Sequence, residues 1–123
     1  MITTANPASL LGHWLNTNRE TRGIAECVVA QDEDGITVSI TGASEAAPVQ
    51  WPTARATVLA NLEEEAGQRT IALLANFNLE FMTAETHVRV NKGVLVIVLY
   101  VTFHDDSGRS NYLNREFFYR DVR

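Results

Sequence analysis

The sequence predicts an all-β chain folded as an eight-stranded antiparallel up-and-down barrel. Three observations lead there. Short runs rich in β-branched and aromatic residues recur along the chain, separated by Gly, Asp and Asn turn signals. Some runs alternate strictly: in "ITVSITG", Ile36, Val38 and Ile40 share one face and Thr37, Ser39 and Thr41 the other. Most joining segments are short reversals, so strands adjacent in sequence can pair, and closing such a meander removes its two exposed edges.

The expected strands span 11–17, 23–31, 35–42, 54–61, 69–81, 84–91, 93–104 and 111–121. Residues 1–9, small and polar with Pro7, read as an N-terminal arm. Residues 10–123 read as a single barrel domain, in keeping with a length of 123 residues. "QDEDG" supplies the reversal after the second strand, "NKG" a tight hairpin between the sixth and seventh, and "HDDSGRSN" a longer loop before the last. "GASEAAPVQWPTA", with Pro48, Pro52 and the second tryptophan, reads as a loop. Residues 54–66 contain good helix formers, so a helix competes with a strand there, and the strand is preferred.

The fifth strand places Ile71, Leu73, Ala75, Phe77, Leu79 and Phe81 on one apolar face. Asn76, Asn78 and Glu80 lie opposite and are expected in solvent; with the faces reversed they would line the lumen. "GVLVIVLYVTF" differs, because Val94, Val96, Val98 and Tyr100 on one side and Leu95, Ile97, Leu99 and Val101 on the other are both apolar. Such a strand needs cover on its outer side. No long amphipathic helix is present to supply it, so a second copy is expected against the strand around 93–103, giving a homodimer or larger oligomer. The N-terminal arm is the alternative cover.

Composition narrows the partners. The net charge is −5 and the ten Lys and Arg residues are scattered, which argues against nucleic acid and anionic membrane surfaces. The longest apolar run is too short to cross a bilayer as a helix, and the start lacks the basic and apolar regions of a secretory signal. The single cysteine, Cys27, allows no internal disulfide. A soluble, cytoplasmic protein is expected.

No phosphate-binding loop, dinucleotide fingerprint, nucleophile elbow or Cys/His metal spacing occurs. His104 beside Asp105 and Asp106 matches no standard ligand set, so neither metal nor cofactor is expected. Glu26 and His87 are the catalytic candidates. Inside an apolar lumen either could act as a general acid or base, since burial raises a carboxyl pKa. Alternation, however, sets His87 and Arg89 outside, opposite Thr86, Val88 and Val90. Cys27 reads as a small buried hydrophobe. Trp14 and Asn16 share a strand face and point inward together.

The stretch Leu10–Asn16, "LLGHWLN", has the spacing L-x-G-x-W-x-N. It resembles the first strand of the calycin superfamily, the lipocalins and avidin-like proteins, and is most similar to the avidin-like members. The resemblance covers seven residues. It implies an eight-stranded barrel whose closed end is packed by Trp14 under an arginine of the last strand. Arg115 or Arg120 takes that role, with Arg115 preferred. It also implies that Asn16 faces a ligand. Avidin-like biotin sites are walled by several tryptophans, whereas this chain has only Trp14 and Trp51, so biotin is not expected. "NTNRETRGI" is similar to a segment of small bacterial proteins to which no function is attached.

The leading expectation is a lumen that binds a small, mostly apolar molecule, oriented by Asn16, with Trp14, Tyr100 and Arg115 as further ligand contacts. A cofactor-free cyclase or isomerase using the same cavity is the alternative. A filled barrel plugged by Phe77, Phe81 and Phe117, acting only as an oligomeric interaction module, is the third reading.

Overall fold

The computed structural model describes residues 8–43, 49–60 and 70–122. The expected arm falls outside it except at Ala8 and Ser9, as do residues 61–66 of the competing helix. The described residues form β1 (Gly12–Asn16), β2 (Ile24–Asp32), β3 (Gly35–Gly42), β4 (Val49–Gln50), β5 (Ala54–Arg55), β6 (Thr57–Ala60), β7 (Thr70–Asn78), β8 (Met82–Asn91), β9 (Val94–Phe103) and β10 (Tyr112–Arg120). All belong to one antiparallel sheet in the order β4-β3-β2-β1-β10-β9-β8-β7-β6, with β5 beside β3.

The all-β, antiparallel character follows the sequence, but the strand count and closure differ from expectation. There are ten strands rather than eight, and the sheet is not closed into a barrel. Of the expected strand over 54–61, residue 61 lies outside the described residues, and residues 54–60 divide their pairing. Ala54 and Arg55 lie against Val38 and Thr37 of β3, while Thr57–Ala60 pair with β7. Ala56 marks the change, its N–H donating to Ile36 O at 2.9 Å. No single strand therefore carries a continuous ladder from β3 to β7. The tenth strand, β4, is a two-residue pairing of the Pro-flanked loop with Thr41 and Gly42.

Alternation decides which side chains are inside. Ile36, Val38 and Ile40 of β3 are buried, as are Leu73, Ala75 and Phe77 of β7. Asn76 and Asn78 are exposed. On β9, Leu95, Ile97, Leu99 and Val101 are buried, while Val94 and Tyr100 are exposed. On β2 a register shift between Ile24 and Glu26 absorbs Ala25, so Ile24 and Cys27, three residues apart, both face inward. The β8–β9 hairpin turns through Lys92 and Gly93, both at positive φ (53° and 83°), as a two-residue type I′ reversal requires. Of the three phenylalanines expected to plug the interior, Phe77 is buried, whereas Phe81 and Phe117 are exposed. Phe118 is fully buried instead, because β10 turns its even-numbered residues inward.

Trp14 is fully buried and donates its indole N–H to Leu10 O at 3.0 Å. The arginine over its ring is Arg120, 4.3 Å from the ring centroid, and not the preferred Arg115. The reason is register. Arg120 sits opposite Trp14 in the β1–β10 ladder, whereas Arg115 pairs with Val98 on the outer face and lies 5.6 Å from the Phe117 ring. Arg120 also donates to Leu11 O and, at 3.0 Å, to Ser9 O. Gly12 permits this approach, since a Cβ there would overlap the Arg120 guanidinium.

Arg120→Met is expected to lower unfolding free energy by about 1–2 kcal/mol through loss of the cation–π contact and two charge-assisted bonds. Arg120→Lys should restore part of this, and Arg115→Met should be near neutral. Urea denaturation of the three variants checks the ranking.

Candidate functional site

A cavity of about 190 Å³ opens at the end of the sheet where β3 finishes and β10 begins. Trp14 and Arg120 occupy the other end, since Arg120 is the last residue of β10 and Tyr112 the first. Trp51, Leu79, Met82, Leu99 and Phe103 form the apolar wall, with Phe81 at the mouth. Each is placed by a strand end: Leu79 follows β7, Met82 opens β8, Leu99 and Phe103 belong to the last turns of β9. Trp51 follows β4, held by its own N–H to Ile40 O at 2.9 Å and by an edge contact with Phe77, 5.4 Å between centroids. Gly42 makes room for it, since a Cβ there would come within 2.7 Å of Trp51 Nε1.

The polar groups of the mouth are Arg22, Arg109 and Tyr112. Arg109 lies 4.2 Å from the Phe103 ring centroid and donates to Asp105 at 2.8 Å and to Ser107 at 2.9 Å. Burial, followed by the nearby Glu116 charge, holds the Tyr112 phenol above its usual range, with Arg109 opposing. The phenol is therefore neutral at physiological pH and can donate a hydrogen bond.

Behind Gly23 lies a buried carboxylate, Glu116. Its oxygens accept from Asn16 Nδ2 at 3.0 Å, from the Ile24 N–H at 2.9 Å and from the Thr21 hydroxyl. A Cβ on Gly23 would overlap it. Asn16 also donates to Ile24 O at 2.8 Å and accepts from the Asn18 N–H at 2.7 Å. Both donors of its amide are thus committed within the fold.

The other sequence candidates lie apart from the cavity. Glu26 is on the outer face, its Oε2 2.7 Å from His13 Nε2, and His13 Nδ1 is 3.4 Å from Asp121. His87 and Tyr100 are exposed neighbours on β8 and β9, their rings 5.4 Å apart. Arg115 is on the outer face of β10. Trp14 and Asn16 do point inward, as their parity predicts, but Trp14 closes the far end. Sequence reasoning missed Trp51, Arg22, Arg109 and Glu116. Glu116 was hidden because Phe117 and Phe118 are both apolar, and expecting Phe117 inside turns Glu116 out. Among the described residues no cluster of three His, Cys, Asp or Glu side chains could hold a metal, and no helix is long and apolar enough to cross a membrane.

Cys27 is fully buried, and burial pushes its thiol from near 9 up to about 12. The folded state thus favours the neutral thiol. This contribution to stability is complete below about pH 9 and is lost as pH rises toward 12, because the unfolded chain ionises first. Ellman's reagent at pH 8 should leave the native thiol unmodified and react fully once the chain is unfolded in guanidinium chloride.

Searches of protein-family models, curated proteins and solved structures return no match to this chain, so its activity is read from the cavity and its surroundings.

Proposed function

We propose that the chain binds a small, mostly apolar molecule in the cavity between the ends of β3, β8, β9 and β10. The observation that carries this reading is the wall itself: five apolar side chains enclose a space beside a few polar groups at the rim, the usual composition of a small-molecule site. We further propose a calycin-like arrangement, open in its backbone ladder, as the wider frame. Three features support it: Trp14 packed under Arg120, the neighbouring Asn16, and residues 54–60, which touch β3 through one half and β7 through the other. A cytoplasmic location fits the lone free thiol, Cys27. Glu26 and His87 lie outside the cavity, which leaves the cyclase or isomerase reading without the acid or base it invoked.

The test is native mass spectrometry of protein purified gently from its own host, followed by denaturation and analysis of what is released. A bound small molecule is expected, at reduced occupancy in Leu99→Phe, which adds bulk to the cavity wall. Equal occupancy in that variant would move the site elsewhere, and an adduct-free protein would count against ligand binding.

A second reading concerns assembly. On the outer face, Val94, Tyr100, Leu113, Phe117 and Tyr119 are all exposed, Leu113 to 63%. We propose that a second copy covers this face. The β8 rim is self-complementary in charge: Glu85 pairs across to Tyr100 and Arg89 to Val96, so a two-fold axis crossing the strands near Val98 brings Glu85 of each copy toward Arg89 of the other. Sedimentation equilibrium should give a dimer for the native chain and a folded monomer for Phe117→Asp. A monomeric native chain at about 100 μM, well above the Kd of a stable dimer, would reject this interface.

A further inference from the structure

We infer that the cavity selects a small monoanion, a carboxylate carried on one ring or a short chain, held by the Trp51 indole N–H and the Arg22 guanidinium. The inference rests on the ligand-binding reading above and gives it a substrate class.

Donors dominate the cavity's polar groups. Its lining includes the Trp51 indole, two arginines and the neutral Tyr112 phenol, and no Asp or Glu among the described residues. A ligand meeting these groups must accept hydrogen bonds. Trp51 makes the requirement specific. It is 7% exposed, and its Nε1–H has no partner among the described residues. Trp14, the other tryptophan, shows the usual pattern of a buried indole bonded to a carbonyl. Buried donors without partners are rare in folded proteins. This one lies beside Gly42, on the inward side of β3 that forms the cavity wall.

Charge sets the valence of the head group. Arg109 is already paired with Asp105 and laid over Phe103. Arg22 is exposed and has no ion-pair partner among the described residues. Glu116 stands behind Gly23, with its oxygens occupied by Asn16, Thr21 and the Ile24 N–H, and forms no ion pair with either arginine. Among the described residues, therefore, one of the two guanidinium groups of the cavity is without an ion-pair partner, which matches a single carboxylate better than a phosphate dianion.

Volume sets the body. A dry cavity of about 150 Å³ accommodates benzene. The present 190 Å³ therefore takes one ring or a chain of similar bulk, with the head group at the rim.

The test is a 15N-resolved NMR titration with benzoate and hexanoate, and with benzyl alcohol and 1-hexanol as neutral counterparts. The carboxylates are expected to shift the Trp51 indole resonance and leave that of Trp14 in place. Arg22→Gln and Trp51→Phe should each weaken benzoate about fivefold to tenfold and change benzyl alcohol less than twofold, because a charge-assisted bond is lost only with the anion. The same spectra report whether each variant is folded. If benzyl alcohol binds as tightly as benzoate, the anion assignment falls while the cavity reading stands. If benzoate binds but is unaffected by either substitution, the assigned groups are wrong. If none of the four probes binds, the inference and the ligand-binding reading fall together. Tighter binding of phenyl phosphate than of benzoate would overturn the monoanion assignment.

Discussion

The joint between β1 and β10 is three residue pairs long, and the two runs of the meander meet there. One run is β1 to β3, the other β6 to β10. So short a ladder fixes register weakly by backbone pairing alone, and two charged side chains of β10 reinforce it. Arg120 spans Trp14 and the carbonyls of Ser9 and Leu11. Glu116 reaches the other way, to Asn16 of β1 and the first N–H of β2. A slip of one residue would turn Glu116 out and Phe117 in, so register is written in chemistry as well as in hydrophobic pattern.

Magnitudes separate the two devices. Arg120 is near solvent, so its bonds are made at little desolvation cost and contribute net stability. Glu116 is buried, and taking a carboxylate from water costs several kcal/mol, an amount its three donors offset at about 1.5–3 kcal/mol each. The sum is close to zero. Its value is therefore specificity: a two-residue slip, which keeps Glu116 facing inward, would carry the carboxylate away from these donors. Gly23 belongs to this device, because only a residue without a Cβ lets the β2 entry close over the carboxylate.

Most strand positions were legible because alternation is local. Ile36, Val38 and Ile40, or Leu95, Ile97 and Leu99, declare their shared face within a few residues. Trp14 and Asn16 were placed inside by the same parity. What local pattern does not contain is which strand lies alongside which. Choosing Arg115 over Arg120 was a question of cross-strand register, and both residues sit in one strand with similar flanks. The division of 54–60 between β3 and β7 was hidden for the same reason, since an extended segment looks alike whichever neighbour it pairs with. Trp51 was obscured further: a Pro-flanked loop has no period from which to read a buried side chain.

The two ends of the sheet differ in how their tryptophans are satisfied. At the Trp14 end the indole N–H and ring both have partners. At the open end Trp51 is packed on Phe77 and against Gly42, yet its N–H is left without a partner among the described residues. A side chain at Gly42 would overlap the indole, so glycine is what lets Trp51 pack here. A buried indole N–H without a partner among the described residues forgoes about 1–3 kcal/mol of stability that a satisfied donor would retain. Such a local deficit at an accessible cavity is what a binding site requires, because the missing hydrogen bond then becomes part of the ligand's affinity and not of the fold's.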